Sequence, residues 1–293
     1  MTIELGPQTM VDRIEVVAVK RPSAALAHSP VDEWEQLGWH APIDADAAEA
    51  DHRAFTGILE AAGATVLELG PDDRTGLDSI YAHDSSLVTP AGVVPLVLGK
   101  ELRAREGAAI VDALAAMDVP VLDGFEDPTA TADGGDFSWV DANTLVVGNS
   151  FRTNLAGIAE IRRIVEPQGI EVVAVDMPYW RGPAEVLHLQ SFFSMIDHDL
   201  AVVFLDMLPV RLAHLLSDRG VEFVEVPVEE FPSQGCNVLA LGPRHVVTPA
   251  GNPITAERME AAGAKVQTYD GTEISLKGDG GPTCLTRPLR RRT

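Results

Sequence analysis

The sequence feature that most constrains the fold is a pattern that occurs five times along the chain. In each copy, apolar residues with helical spacing are followed by a tight turn and a short β-like run. The copies span residues 55–70, 110–124, 161–176, 212–227 and 257–270. Their turn residues, spaced by 55, 51, 51 and 43 positions, are Gly63, Asp118, Gly169, Gly220 and Gly263. Glycine at such a position typically adopts the left-handed conformation that ends a helix.

A further strand-like run precedes each of these helices. These runs span residues 14–22, 85–99, 144–150, 200–209 and 237–249. The repeating unit is therefore strand, strand, helix, strand, and it cannot bury its apolar face alone. Repetition around an axis closes the core and protects the edges of the sheets. We therefore predict a single α/β domain over residues 1–293, with five ββαβ-like repeats around a pseudo-five-fold axis. We favour this five-bladed α/β propeller over an open α/β sheet.

Composition and charge exclude several classes of protein. The formal net charge of −22 opposes binding to nucleic acid, which needs a basic surface. No stretch reaches the roughly 18 uninterrupted apolar residues of a membrane helix, so we expect no membrane partner. The N-terminal sequence lacks the pattern of a secretory signal, and two cysteines are too few for a disulfide framework. We therefore expect a cytoplasmic protein.

Reactive or charged side chains interrupt the apolar pattern in four stretches, each in or beside a strand of a different unit. Asp78 and Asp84 lie in DSIYAHDSSLVTP, and Asp133 lies in TADGGDFSWV. His188 lies in EVLHLQSFFSMID, and Cys284 lies in GDGGPTCLTRPL. In a ring of α/β units the strand ends converge on an axial pocket. We therefore expect each unit to contribute a group to one shared site.

The set of residues predicts a particular chemistry. A cysteine nucleophile needs a histidine that transfers protons and a carboxylate that orients the histidine, and Cys284, His188 and Asp133 match this requirement. Negative charge raises the pKa of a thiol, so the additional Asp84 indicates a cationic substrate rather than a peptide. A planar guanidinium pairs bidentately with carboxylates, which leaves its central carbon open to attack by a thiolate. His188 would then protonate the leaving amine and activate water against the covalent thiouronium.

The motifs LHLQSFFSM and TADGGD, together with RTN at residues 152–154, resemble those of the guanidino-group-modifying enzymes, most closely the dimethylarginine dimethylaminohydrolases. The resemblance runs from VVAVKRP to the final RPLRR. It implies the pentein fold, which agrees with the repeat count. It also implies that Cys284 is the nucleophile, His188 the acid and base, and Asp133 the orienting carboxylate. The implied reaction splits a C–N bond of arginine or a methylated arginine, giving a ureido product such as citrulline and an amine, without a cofactor or metal.

The resemblance also implies the residues that bind the substrate. Asp84 is the second ligand of the guanidinium, and Asp78 supports it. Arg103 and Arg152 hold the α-carboxylate of the substrate. Arg105 is a close rival of Arg103, because the family usually has two adjacent arginines here and this chain has Arg-Ala-Arg.

Two departures from the family pattern bear on the substrate. His83 precedes Asp84 where family members carry Glu or Arg, so we expect His83 to contact the substrate, with a role in proton transfer as the alternative. Residues 28–47 form a long stretch with two tryptophans, Trp34 and Trp39, and are predicted to be a lid over the pocket. Cys236 lies on a predicted strand and is interpreted as a buried structural residue.

Three alternatives remain open on the sequence. An amidinotransferase would resolve the intermediate with an acceptor amine instead of water. A non-catalytic pentein would only bind a ligand, although such proteins lack the Cys and His motifs that this chain retains. A metal hydrolase would use His83-Asp84 and Asp197-His198, but no H-x-x-x-H or comparable spacing supports it. The expected partner is a small cationic guanidino compound, and a homodimer is compatible with the sequence.

Overall fold

The computed structural model describes residues 3–29, 34–185 and 187–292. Six α-helices are found in this part of the chain: α1 Pro22–Leu26, α2 Ala45–Ala61, α3 Glu106–Ala115, α4 Leu155–Val165, α5 Val210–Ser217 and α6 Pro253–Ala261. The strands are β1 Arg13–Val19, β2 Thr65–Glu68, β3 Ser86–Val88, β4 Val93–Pro95, β5 Phe137–Asp141, β6 Thr144–Asn149, β7 Glu171–Asp176, β8 Phe193–Asp197, β9 Leu200–Val203, β10 Glu222–Glu225, β11 Leu239–Gly242, β12 His245–Pro249, β13 Lys265–Tyr269 and β14 Arg287–Arg292. Short 3₁₀ turns connect several of these elements.

The five predicted turns are confirmed by their backbone conformation. Gly63, Gly169, Gly220 and Gly263 all have φ between 73° and 92°. Asp118, the one non-glycine member of the set, has φ of 60°. This left-handed conformation follows a helix in every unit and reverses the chain into the next strand. The repeats can be recognised in the sequence because a turn residue in the same left-handed conformation follows the helix in every unit.

The described strands form five separate sheets, and four of them share one design. In each of these four, an antiparallel pair is extended by a third strand that runs parallel to its neighbour. In the sheet β5-β6-β7, Phe137 pairs with Val147, and Val146 pairs with Val173. The parallel step requires a crossover, which α4 supplies between β6 and β7. This arrangement is the predicted order of strand, strand, helix and strand.

Two sheets depart from a simple repetition. The first sheet, β14-β1-β2, takes one strand from the C-terminal region, and Val17 pairs with Pro288 across it. The second sheet contains only β3 and β4, and the β-like run predicted over 120–124 is reduced to a single bridge between Val93 and Val121. Pro120 explains the reduction, because proline cannot donate a hydrogen bond to a ladder.

Each long helix packs an apolar stripe against its sheet. In α4, Ile158, Ile161 and Val165 are buried in the same cluster as Leu145 and Val147 of β6. Burial of one such side chain contributes about 1.5–3 kcal/mol. None of the helices in the described ranges is both long and apolar enough to cross a membrane. This packing fixes where the strands end, and so where the loops between the strands and helices lie.

Candidate active site

The segments that precede the first strand of each sheet supply five polar side chains to one region. Asp84, Asp133, His188, Asn237 and Cys284 lie two to five residues before β3, β5, β8, β11 and β14, respectively. Four of them line a single cavity of about 50 Å³, and the fifth, Asn237, donates a hydrogen bond to the sulfur of Cys284. The structure therefore brings polar side chains from separate units together in one place.

His188 and Asp133 form a buried pair. The distance from His188 Nε2 to Asp133 Oδ2 is 3.1 Å, and Asp133 is fully buried. The second oxygen of Asp133 accepts a hydrogen bond from the backbone N–H of Gly99 at 2.8 Å. Burial opposes the charged imidazolium, but the bond to Asp133 and the charges of Asp84 and Asp136 outweigh it and raise the pKa of His188 to about 9. His188 is therefore protonated at neutral pH.

Asp84 lies on the other side of His188 and is held as a carboxylate. Its Oδ2 accepts a hydrogen bond from Arg103 Nη1 at 2.7 Å, and its Oδ1 accepts one from the backbone N–H of Gly135 at 3.1 Å. His188 Nδ1 is 3.8 Å from Oδ1. Burial would raise the pKa of Asp84, but the positive charges of Arg103 and His188 lower it to about 2.

Cys284 presents a buried sulfur to the same cavity. The residue is 8% exposed, and its Sγ accepts a hydrogen bond from Asn237 Nδ2 at 3.2 Å. Burial and the charge of Asp84 raise the pKa of the thiol to about 12, although the hydrogen bonds from Asn237 and from the backbone of Gly281 act in the opposite direction. The thiol is therefore neutral at pH 7 while the cavity holds no cation.

Two glycines show why these motifs are glycine-rich. A Cβ on Gly135 would lie 2.2 Å from Nδ1 of His188, so the TADGGD motif needs glycine for the imidazole to approach. A Cβ on Gly281 would lie 2.5 Å from Cγ of Asn237. The left-handed residue of the segment before Cys284 is Asp279, with φ of 59°. Close approach of side chains, more than a sharp turn at glycine, therefore explains the glycines before Cys284.

Asp78 lines the cavity, and both of its carboxylate oxygens are occupied. Oδ1 accepts a hydrogen bond from Trp39 Nε1 at 2.7 Å, and Oδ2 is paired with Lys100 Nζ. Lys100 also donates to the carbonyl of Leu37 at 2.6 Å. Asp78 therefore connects the predicted lid to the wall of the cavity.

Arg103 lines the cavity but is committed to groups of the protein. It donates four hydrogen bonds, to Asp84, to both carboxylate oxygens of Glu106 and to the carbonyl of Tyr81, so one of its five N–H groups remains. Arg105 is exposed and does not line the cavity. Arg103, and not Arg105, is thus the arginine that lines the cavity, but most of its N–H groups are bonded to carboxylates of the protein.

Arg152 has the character expected of a ligand for an anion. It is half-buried, it lines the cavity, and its guanidinium has no hydrogen-bond or ion-pair partner in the described part of the chain. It also borders a second depression of about 240 Å³, whose wall includes Phe151 and Tyr179. Those two rings meet edge to face at a centroid distance of 5.5 Å.

The prediction that His83 contacts the substrate does not fit its placement. His83 is 3% exposed and is absent from the walls of the cavity. Its Nδ1 donates to the carbonyl of Thr286 at 3.0 Å, and its Nε2 accepts from the side-chain amide of Gln190 at 3.1 Å. Burial and the neighbouring Arg287 hold the pKa of His83 well below its usual range. Both nitrogens of the neutral imidazole are hydrogen-bonded within the protein, so neither is free to contact a substrate.

The predicted lid over residues 28–47 is partly described. Residues 30–33 lie outside the described residues, but Trp39 is buried and stacks on Tyr81 with ring centroids 6.0 Å apart. Leu37 and Gly38 form part of the cavity wall. The hydroxyl of Tyr81 is buried and has no hydrogen-bond partner among the described residues. Residues 34–39 therefore pack against the site, beside an unused polar group.

Sequence reasoning missed Asn237, Tyr81 and Lys100. Asn237 was detectable in principle, because the fifth unit had no assigned contribution and Asn237 is the polar residue just before its first strand. Tyr81 and Lys100 had no such signal, since only the packing of the lid brings them to the cavity. Within the described ranges, no group of three His, Cys, Asp or Glu side chains is arranged to hold a metal ion.

Comparisons with known proteins bear on the family and on the fold of the chain. The family model described as arginine deiminase matches residues 78–212 and 207–291. A dimethylarginine dimethylaminohydrolase from Streptomyces coelicolor is 30% identical over 272 residues, which cover 93% of this chain and 96% of that protein. Among solved structures, a mutant of the Pseudomonas aeruginosa dimethylarginine dimethylaminohydrolase in complex with citrulline has a TM-score of 0.76 at 23% identity, covering 96% of this chain and 100% of that one. An amidinotransferase of saxitoxin biosynthesis from Microseira wollei has a TM-score of 0.78 at 18% identity, covering 99% and 98%.

Proposed function

The chain belongs to the arginine deiminase family, whose members act as hydrolases on C–N bonds of amidines, and on this premise we propose that it is a cysteine-dependent amidinohydrolase. Its substrate is a guanidino compound of the arginine or methylated arginine type. The products are a ureido compound and an amine or ammonia. The observation that carries the proposal is the convergence of Cys284, His188, Asp133 and Asp84 on one buried cavity.

The protonation states of the free enzyme prepare the reaction. With a thiol pKa of about 12 and an imidazole pKa of about 9, Cys284 is neutral and His188 is charged at pH 7. Entry of a guanidinium cation places positive charge beside the sulfur, which lowers the pKa of the thiol. The thiol then releases its proton to solvent, because His188 already carries one. The resulting thiolate and imidazolium are the forms required for the first step.

In the first half of the reaction, the Cys284 sulfur forms a bond to the central guanidinium carbon. Asp84 and Asp133 hold the guanidinium nitrogens and fix the plane of the substrate. The bond from the central carbon to the leaving nitrogen breaks, and that nitrogen takes the proton from His188 as it departs. A covalent thiouronium remains on Cys284, and His188 is neutral.

In the second half, His188 accepts a proton from a water molecule that attacks the thiouronium carbon. The C–S bond breaks, the remaining hydroxyl proton of the tetrahedral intermediate passes to solvent, the ureido product leaves, and Cys284 is regenerated as a thiolate beside a protonated His188. Asp133 keeps the same ring nitrogen of His188 hydrogen-bonded through both halves, so the imidazole changes charge without turning. Asn237 donates to the sulfur and stabilises the thiolate each time it forms.

The remaining polar residues of the cavity select and position the substrate. Arg152, whose guanidinium is unpaired in the described chain, binds the substrate's α-carboxylate. Arg103 keeps Asp84 ionised and leaves one N–H for that carboxylate. Asp78 fixes Lys100 and Trp39 at the entrance. His83 is not included among the substrate ligands.

We further propose that residues 1–293 form a single catalytic domain in which the five sheets are the blades of a propeller. Contacts between β14 and β3, between β8 and β11 and between β1 and β11 support this arrangement. So does the supply of one site residue from each of the five sheets. The homodimer and the cytoplasmic location stay predictions.

The test is to identify the products by mass spectrometry. The protein is incubated with dimethylarginine, monomethylarginine, arginine, agmatine and shorter guanidino acids, and Cys284→Ala serves as the matched control. We expect one of the substrates with an α-carboxylate to be converted to its ureido product by the wild-type protein alone. Conversion by the Cys284→Ala protein would exclude the covalent mechanism.

A second candidate function is amidino transfer, and one feature of the structure favours it. Asp279 lines both the active-site cavity and a neighbouring cavity of about 460 Å³, whose wall includes Trp180 and Phe231. That space is sufficient for an acceptor amine. Addition of glycine or ornithine to the same incubation separates the two functions, since a transferase would yield a new guanidino compound in place of the ureido product.

A further inference from the structure

Another cavity, distinct from those described above, lies against the back of the active site. It has a volume of about 250 Å³ and is lined by the end of β2, by residues 70–85 and by the first turns of α3. Glu106 forms part of its wall, and the same carboxylate is bonded to Arg103, which lines the active-site cavity. One ion pair therefore separates the two cavities. The volume is below the roughly 300–1,000 Å³ of pockets for drug-sized ligands, so the space suits a smaller molecule.

A buried lysine without an ionic partner faces this cavity. Lys20 is 5% exposed and lines the wall, and its ammonium donates one hydrogen bond, to Thr75 Oγ1 at 2.7 Å. It forms no ion pair with any residue in the described ranges. Two of its three N–H donors are therefore unused. A buried ammonium is normally paired, because removing its charge from water is costly.

The other charged side chains of the wall are hydrogen-bonded to groups of the protein. Glu106 receives two hydrogen bonds from Arg103, at 3.0 and 2.9 Å. Asp72 receives hydrogen bonds from Nε and Nη2 of Arg74 at 2.9 and 2.6 Å. Each of these guanidiniums also bonds a second carboxylate, Asp84 for Arg103 and Asp112 for Arg74, whereas the ammonium of Lys20 is bonded to no carboxylate. The charges of Glu106 and Asp72 act on Lys20 without a hydrogen bond, so its two unused N–H donors are the groups that an anionic ligand would contact.

The rest of the wall indicates the body of that ligand. Leu69, Ala109, Ile110 and Ala113 provide the apolar part of the wall. The hydroxyl of Ser85 adds one weakly engaged donor, 3.4 Å from the carbonyl of Ala82. One cation and one hydroxyl are few donors for a phosphate, but they match the two oxygens of a carboxylate.

We propose that this cavity is a binding site for a short-chain aliphatic carboxylate. The carboxylate group pairs with the ammonium of Lys20 and accepts from Ser85, and the alkyl chain packs on Ile110 and Ala109. The site is independent of the substrate's own carboxylate, which binds in the other cavity beside Arg152. The ligand would lie beside Glu106, which is ion-paired with Arg103.

The test is isothermal titration calorimetry of the full-length protein with propionate, butyrate and pentanoate, with butylamine and inorganic phosphate as probes of the opposite charge and of a different anion. We expect saturable binding of the carboxylates and none of butylamine. Lys20→Met should weaken butyrate binding about 10- to 100-fold, the value of a hydrogen-bonded charge. Lys265→Met, which removes an exposed lysine, and Arg152→Met, which alters the active-site cavity, should leave the affinity within about twofold.

A second variant tests the site independently in case Lys20→Met fails to fold. Ala109→Leu fills the apolar end of the cavity and keeps the lysine, and it should also weaken the binding of pentanoate, whereas its thermal unfolding should match that of the wild type. Three results would overturn the proposal. They are no saturable binding of any carboxylate, loss of binding in Arg152→Met instead of Lys20→Met, and binding of phosphate as tight as that of butyrate.

Discussion

Cys284 and Cys236 occupy two buried sites that differ in what surrounds the sulfur. Cys236 is fully buried in an apolar cluster with Phe193 and Met195, and burial alone raises the pKa of its thiol. Cys284 is almost as deeply buried, but Asn237 donates to its sulfur and a negative carboxylate, that of Asp84, lies near it. Both thiols are neutral in the free protein.

Burial is common to both cysteines and therefore does not distinguish the proposed nucleophile from the structural thiol. What differs is whether the pKa can change when a ligand arrives. Around Cys236 no charged group contributes to the pKa, so the site offers no negative charge that a cation could neutralise. Around Cys284, the negative charge that raises the pKa is the same charge that binds a cation, and binding therefore removes the obstacle to ionisation. The following predictions test this contrast, from the largest effect to the smallest.

The largest difference should come from replacing each sulfur by oxygen. Cys284→Ser should lower turnover by at least about 10⁴-fold, because a serine hydroxyl beside a protonated histidine has no base to activate it. Cys236→Ser should leave turnover of the folded protein within about twofold, since the residue touches no reacting atom. Steady-state assays of the two purified variants make the comparison. Equal losses in both would show that the contrast between the two sites is wrong.

His188 should show the second largest effect. His188→Ala removes the group that protonates the leaving amine, so turnover should fall by about 10²–10⁴-fold. The matched control is His198→Ala, whose imidazole is exposed and paired with Asp12 away from the cavity. The control should retain wild-type turnover. A full rate in His188→Ala would mean that another group supplies the proton.

Asn237 offers a way to move Cys284 toward the environment of Cys236. Asn237→Ala removes the N–H that stabilises the thiolate, so turnover and the rate of thiol alkylation in the presence of a guanidino ligand should fall by about 10- to 100-fold. Asn237→Asp should be slower still, because it places a second negative charge beside the sulfur. A faster rate in the aspartate variant would contradict the electrostatic account.

The pH dependence of turnover should report the His188–Asp133 pair. The pKa of His188 is raised to about 9, so the protonated form predominates below that pH and is lost above it. Turnover should therefore decrease about tenfold for each pH unit above roughly 9. Asp133→Asn removes the hydrogen-bonded charge and should move this decrease to lower pH. An unchanged alkaline limb in Asp133→Asn would assign the limb to a different group.

The smallest effect is on stability, and it concerns the inert cysteine. Cys236→Ser buries a hydroxyl among apolar side chains, and we expect it to reduce the free energy of unfolding by about 1–3 kcal/mol. Cys236→Ala avoids the unsatisfied hydroxyl and should cost less. Urea unfolding of both variants provides the measurement. A larger loss in the alanine variant would mean that packing, not polarity, governs this position.

Much of the architecture was predictable because its causes are local. Helical periodicity, strand-like runs and left-handed turn residues recur within each unit, and the five turns confirm this interpretation. The prediction was wrong over 120–124, where Pro120 limits the third strand of its sheet to one bridge. The second sheet therefore has two strands where the periodicity predicted three.

The proposed reactive groups could also be chosen from the residue types, but their partners could not. The identities of Cys284, His188 and Asp133 follow from the chemistry that each residue type permits. That Arg103 would pair with Asp84, and that His83 would bond to Thr286 instead of facing the cavity, depended on contacts between segments that are separated along the chain. Hydrogen bonds between residues far apart in the sequence produce no periodic pattern that could be recognised along the chain.

The amino-acid sequence thus specifies the repeating units and the inventory of reactive side chains, because both depend on the residue and its near neighbours. The tertiary structure decides which charges meet, since electrostatic interactions act through space and depend strongly on distance and burial. The neutral thiol of Cys284, the raised pKa of His188 and the unpaired ammonium of Lys20 all arise at that level. Each is set by groups that come together only when segments separated along the chain pack against one another.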